Sequence, residues 1–134
     1  MIEKHTVSRD DKIYEAFPDV ALSASGKLVC VFSECTHHGD RSWSRIALTE
    51  SIDRGRSWSP KRPLTEPTNG LPVFWNCPRI SRLADGKMVI VVDKLFAPEK
   101  SAAPGDCKNY LFFSEDDGKT WSERSEEHTS ELQS

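Results

Sequence analysis

One short segment concentrates side chains that can transfer protons or hold a polar ligand. The eight residues from 34 to 41 include two carboxylates, two imidazoles and a guanidinium: Glu34, His37, His38, Asp40 and Arg41. A carboxylate close to imidazoles can serve as a general acid or base. The segment follows the apolar run LVCVF, so we expect these groups at the end of a buried strand, where a pocket can form. A solvated polar loop is the alternative interpretation.

A second group of candidates surrounds Pro78. Asn76 and Arg79 flank this proline and are candidate substrate-binding residues. Three aromatic side chains could stack on a sugar, with packing in the core or between sheets as the alternative; they are Trp43, Phe74 and Trp75.

Metals and cofactors are not indicated by the sequence. His37 and His38 are adjacent, adjacent residues rarely face one ion, and no third ligand is identifiable. The four cysteines lack CxxC spacing and are expected to be reduced thiols, with Cys30 packed in the core.

Composition and charge exclude several partner classes. The 134 residues carry a formal charge of −3, and Lys and Arg are scattered among acids, so a nucleic-acid partner is not expected. No apolar run is long enough to span a membrane, and residues 1–17 contain no apolar core of a signal peptide. The sequence therefore predicts a cytoplasmic protein without a membrane partner.

The elements that must position these residues occur twice. Residues 18–32 (PDVALSASGKLVCVF) align without a gap with residues 78–92 (PRISRLADGKMVIVV) at an offset of 60. Residues 51–58 (SIDRGRSW) align with residues 114–121 (SEDDGKTW) at an offset of 63. A unit of this length lies near the upper end of the range for propeller blades.

Each unit has the pattern of short antiparallel strands. Turns at Ser25-Gly26 and Asp85-Gly86 separate apolar runs and predict two hairpins. Third strands are expected over 45–51 and 109–114, and fourth strands are expected to begin at Trp58 and Trp121. With no helical periodicity, the fold class is all-β.

The motif S-x-D-x-G-x-x-W resembles the Asp-box of the BNR repeats in sialidases and other propellers. It occurs in register at Ser51, Asp53, Gly55 and Trp58, and again at Ser114, Asp116, Gly118 and Trp121. The motif stabilises a turn, because the carboxylate accepts backbone N–H groups and glycine adopts a conformation that other residues resist. A catalytic role for either aspartate is the disfavoured alternative.

The resemblance implies a partial β-propeller. We expect two four-stranded antiparallel blades, over residues 14–66 and 67–123, from a sialidase-like propeller of six blades, preceded by an extension over 1–13. Residues 124–134 resemble a translated sequencing-library adapter, with a polar disordered C-terminus as the alternative. The natural chain is therefore expected to continue past Glu123, and two blades alone to leave apolar surface exposed.

The resemblance also implies roles for particular residues. Counting back from the first Asp-box places Asp40 where the family has its acid/base aspartate, so Asp40 is the predicted catalytic residue. The family's arginine positions hold Ala16 and Glu34, and neither Tyr14 nor Tyr110 matches the family's nucleophile. The remaining candidates, predicted to bind substrate, are Glu34, His37, His38, Arg41, Asn76 and Arg79.

Three functions stay open at this point. The first is part of a sialidase-like exo-glycosidase that releases terminal sugars, such as sialic acid, from glycans; the chain alone is expected to be inactive. The second is a non-catalytic Asp-box propeller that binds carbohydrate or protein. The third is a hydrolase of the same fold with another sugar specificity, suggested by Ala16 and Glu34.

Overall fold

The chain folds into two antiparallel sheets, as a computed structural model describes for residues 1–69, 73–96 and 106–125. The first sheet has the order β1 (Tyr14–Leu22), β2 (Leu28–His37), β3 (Asp40–Ser51) and β4 (Arg62–Pro63), and β5 (Thr68–Asn69) also pairs with β3. The second has the order β6 (Val73–Arg82), β7 (Met88–Phe96), β8 (Asp106–Ser114) and β9 (Ser122–Ser125). These residues contain no helix, so the all-β prediction is confirmed. Accordingly, none of them forms a helix that could cross a membrane.

Both predicted hairpin turns are present. Gly26 and Gly86 have φ angles of +91° and +92°, a region that residues with a Cβ rarely occupy. The turns also share their hydrogen bonds: the N–H of Ser23 donates to the carbonyl of Lys27, and that of Leu83 donates to the carbonyl of Lys87, each at 2.7 Å. The repeated sequence therefore forms the same turn twice.

A bulge interrupts the first strand of each sheet at the same place in the repeat. The register of β1 with β2 shifts between Ala16 and Asp19, and the register of β6 with β7 shifts between Asn76 and Arg79. Each bulge contains an X-Pro pair, and the residue before proline has a positive φ: +55° at Phe17 and +47° at Cys77. Proline has no N–H to donate to the ladder, which favours a bulge at this position.

The fourth strands differ from the prediction. In the first sheet the strand begins at Arg62 and not at Trp58. Pro60, which lies between them, lacks an N–H and cannot donate to a ladder, whereas Glu123 occupies this place in the second repeat. In the second sheet the strand begins at Ser122, one residue after Trp121, and runs to Ser125, past the predicted boundary at 123. β5 lies in the predicted second unit but pairs with the first sheet.

The main core lies between the two sheets. One face of the first sheet packs on the second sheet, and the buried side chains are Val29, Val31, Ile46, Leu48, Trp75, Ile80, Met88, Ile90, Val92 and Phe112. Polar side chains of the first sheet reach the backbone of β6. The N–H groups of Trp75, Cys77 and Ile80 donate to the Ser44 hydroxyl (2.9 Å), the Ser33 hydroxyl (3.1 Å) and the Asp19 carboxylate (2.9 Å).

The opposite face of the first sheet is covered by residues 1–13, called the strap from here on. Val7 of the strap packs with Trp58 against the buried Cys30, Phe32 and Ala47. A cavity of about 190 Å³ remains beneath it, lined by Val7, Ser8, Glu15, Ala16, Pro18, Cys30 and Phe32. The strap therefore covers an apolar sheet face without filling the space above it.

Candidate functional site

Asp40 is exposed at the start of β3, beside the tight connection from β2. Its carboxylate accepts a 2.9 Å hydrogen bond from the backbone N–H of Ser42. The bonds from the Ser42 backbone and hydroxyl hold the pKa of Asp40 below its usual value, and the nearby His37 adds to this effect. Asp40 is therefore a carboxylate at neutral pH, which suits a base better than an acid.

The two histidines beside Asp40 are also exposed. The N–H of Gly39 lies 3.3 Å from Nδ1 of His37, which closes the turn locally. His38 contacts the ring of Tyr14 edge-on, with 5.2 Å between centroids. Among the described residues no three His, Cys, Asp or Glu side chains group as a metal site, and we identify no residues there that would hold a cofactor.

Arg41 connects the first sheet to the start of β6. Its guanidinium donates to the Asn76 side-chain oxygen at 3.4 Å and lies 5.9 Å from the centroid of the Phe74 ring. These residues are half-buried. The structure thus brings together two predicted site residues, Arg41 and Asn76, that are 35 positions apart.

Arg79 forms a second polar group on the second sheet. Its guanidinium contacts the Asp93 carboxylate at 2.8 Å, and the same oxygen accepts a 2.7 Å bond from the Asn109 side chain. Asp93 was not among the candidates from sequence. In the repeat, Asp93 aligns with Ser33, which directly precedes the candidate segment 34–41. This alignment is the signal that could have identified Asp93 from the sequence.

Cys77 stands between these two groups, half-buried at the bulge. Burial raises the pKa of its thiol, and the nearby Asp93 adds to this, while Arg79 and Arg41 act in the opposite direction. The thiol is therefore protonated at neutral pH, and its left-handed backbone is the unusual feature of the residue.

Glu34 does not face the exposed end. Its side chain is 0% exposed and contacts the Arg45 guanidinium at 2.6 Å and the Lys61 ammonium at 2.5 Å. A carboxylate this deeply buried requires such partners. These two ion pairs therefore explain how the Glu34 carboxylate can be buried. The predicted contact of Glu34 with substrate stays a prediction.

Lys61 joins Glu34 to the strap. The ammonium also contacts Glu15 at 3.0 Å and Asp10 at 3.2 Å, and the Ser8 hydroxyl donates to Glu15 at 2.9 Å. Burial alone would lower the pKa of Lys61, but the hydrogen bonds to Glu34, Glu15 and Asp10 outweigh it and raise that pKa. Lys61 is therefore charged and held by three carboxylates.

The aromatic candidates have packing partners. Trp75 is 6% exposed and contacts Tyr110 edge-on at 5.4 Å, so its ring lies within the core. Trp43 is half-buried with the Arg45 guanidinium 5.5 Å from its ring centroid. The Phe74 ring lies beneath the Arg41 guanidinium and so borders the polar group of Arg41 and Asn76.

Both Asp-box turns have the same hydrogen bonds. In the first turn the Ser51 hydroxyl accepts from the N–H of Gly55 (2.8 Å), and the Asp53 carboxylate accepts from the N–H of Ser57 (2.8 Å). In the second turn the corresponding bonds, also at 2.8 Å, join Ser114 to Gly118 and Asp116 to Thr120, and the Trp121 indole donates to the carbonyl of Gly118 at 3.1 Å.

These bonds lower the pKa of both Asp-box carboxylates. Donors on Ser57 and then Ser51 lower the pKa of Asp53 to about 2, and those of Thr120 lower that of Asp116 to the same value. Each carboxylate is thus engaged within its own turn, as expected for a residue that stabilises the turn.

Comparisons with known proteins give a fold but no function. No protein-family model matches the chain, and no curated protein matches it. One solved structure that it resembles is a protein of unknown function from Dyadobacter fermentans, with a TM-score of 0.66 and 20% sequence identity. The match covers 88% of this chain and 37% of that one, so this chain spans little more than a third of the length of its structural relative.

Proposed function

We propose that this chain forms the first two blades of a sialidase-like β-propeller, and that the complete protein releases terminal sugars from glycans. The stacking of two repeated antiparallel sheets, each with an Asp-box turn, supports the blade interpretation. A longer structure of the same fold, of which this chain covers only 37%, is consistent with additional repeats.

The observation that carries the enzymatic proposal is the position of Asp40. It is an exposed carboxylate next in sequence to Arg41, at the end of the first sheet where Arg41 contacts Asn76. By the family resemblance, Asp40 would protonate the leaving oxygen and then activate water. The acid step requires that a bound sugar raise the pKa of Asp40 by excluding water from the carboxylate.

A specific observation favours the second candidate, a carbohydrate-binding module without catalysis. The pKa of Asp40 is lowered, whereas a general acid at neutral pH needs a raised one. Glu34, at one of the family's arginine positions, is engaged in ion pairs. The ionised Asp40 can accept hydrogen bonds from sugar hydroxyls, and the Arg41 and Asn76 side chains can donate to them, without any proton transfer.

The test compares turnover and binding with matched variants. A panel of chromogenic glycosides and a glycan array would be applied to the chain and to the longest natural protein that contains residues 1–123. We expect Asp40→Asn to lower turnover by about 100-fold or more while glycan binding persists. Asp11→Asn, an exposed aspartate in the strap, is the control and should leave turnover unchanged. Full turnover in Asp40→Asn would exclude the catalytic role, and binding without turnover in the unmodified protein would establish the module.

A further inference from the structure

The second sheet has an apolar face that matches one buried in the first. Val89, Val91 and Leu111 align with Val29, Val31 and Leu48 in the repeat. The residues of the first sheet are 0%, 0% and 1% exposed because the second sheet packs on them. Their counterparts in the second sheet are half-buried, since none of the described residues forms a third sheet above them.

The first sheet carries the complementary half of that interface. Ile80 of β6 is 5% exposed because it packs against the first sheet, while its counterpart Val20 on β1 is 51% exposed. Phe17 and Leu22, on the same strand, are 42% and 49% exposed. One chain therefore holds both halves of a single sheet-to-sheet interface, each at an opposite end of the stack.

We propose that the outer face of the second sheet binds the first sheet of another copy of this chain, head to tail. Such a contact repeats the packing that already joins the two sheets within the chain. Because the two surfaces differ, the contact is heterologous and leaves one free surface of each kind for the next copy. The proposal concerns association of the 134-residue chain by itself, since further blades of a longer propeller would cover these faces, and it does not depend on the proposed hydrolysis of sugars.

Charge complementarity supports a second copy as the occupant. Within the chain, the hydroxyl and the N–H of Ser25 bind the carboxylate of Asp117, at 2.5 and 3.3 Å. The repeat replaces Ser25 by Asp85 on the second sheet and Asp117 by Arg54 on the first. Asp85 and Arg54 are both exposed. Head-to-tail packing would bring this carboxylate and guanidinium together between copies.

The strap must detach from the first sheet before this contact between copies can form. It lies on the face of the first sheet that corresponds to the buried face of the second, where Met88 and Ile90 pack. The ion pair between Lys61 and Asp10 holds the strap on the sheet, and its two side chains are 22% and 34% exposed. Ion pairs with this exposure contribute little to stability. The cavity of about 190 Å³ beneath the strap shows that it does not fill the space above the sheet. Weak association that competes with the strap is therefore expected.

Sedimentation of the full chain between about 1 and 200 µM tests the proposal. We expect the average mass to rise with concentration. Asp85→Arg and Arg54→Asp should each weaken association by about 3- to 10-fold, and the double variant should restore it to within about 2-fold of the original. Val91→Lys would bury an unpaired ammonium and should weaken association by about 100-fold. Asp11→Arg, the same charge change in the strap, should have no effect on the charge pair.

Three results would overturn the proposal. One is a monomer throughout the concentration range, which would mean that these faces pack against sheets of a longer chain instead of a second copy. Another is failure of the Asp85→Arg/Arg54→Asp double variant to restore what the single variants lose. The third is polydisperse aggregation that charge reversal does not alter. Both charge variants lie at exposed positions, so they test the contact even if Val91→Lys does not fold.

Discussion

Replacing Glu34 by glutamine should destabilise the protein far more than the same change at an exposed acid. Glu34 is 0% exposed and binds the Arg45 and Lys61 cations, which are themselves only 23% and 22% exposed. Removing one partner of a buried ion pair costs about 3 to 5 kcal/mol. Lys61 keeps Glu15 and Asp10, and both cations regain some hydration, so we expect a loss of about 3 kcal/mol of unfolding free energy.

Glu115→Gln is the matched control. Glu115 also contacts a cation, Lys87 at 3.5 Å, but its side chain is 73% exposed and that of Lys87 is 45% exposed. Its replacement should cost about 1 kcal/mol or less. Urea unfolding at a dilution where the chain is monomeric measures both losses, provided that the slope against denaturant is unchanged. A difference below about 0.5 kcal/mol between the two variants would refute the argument that burial makes the Glu34 network important.

Two further perturbations test the turns and the sheet interface. Asp53 and Asp116, with pKa values of about 2 against an ordinary 3.8, should add stability that is complete above about pH 5 and is lost as the pH falls towards 2. Replacing both by asparagine should reduce the fall in melting temperature between pH 5 and pH 2, and an unchanged profile would contradict this. Ser33→Ala should cost about 1 to 3 kcal/mol, because it leaves the N–H of Cys77 without its acceptor. The exposed Ser42→Ala should cost about 0.5 kcal/mol or less in the same urea titration.

The repeat made much of the fold predictable. Two pairs of aligned segments were enough to locate the hairpins at Gly26 and Gly86, because glycine is needed where φ is positive. The first-sheet fourth strand was misplaced because Pro60 cannot donate to a ladder. A proline of this kind interrupts a strand without altering the apolar pattern.

The candidate site was predictable only in part. Sequence proximity singled out Asp40 and Arg41, but Arg41 meets Asn76 through the packing of one sheet on the other, which spacing along the chain does not encode. Glu34 lies in the same segment yet points into the protein, since neighbouring residues of a strand face opposite sides. Its bond to Lys61, 27 positions away, depends on the path of the loop after the first Asp-box, which spacing along the chain does not encode.

The three side chains that bind the backbone of β6 have a consequence for aggregation. β6 is the edge strand of its sheet, and unpaired N–H groups along an edge can recruit a strand from another molecule into a growing fibril. Ser44, Ser33 and Asp19 bind the N–H groups of Trp75, Cys77 and Ile80, so these three donors cannot recruit another strand while the sheets stay packed. The first sheet thus protects this edge of the second from templated misfolding, and separation of the sheets would expose it.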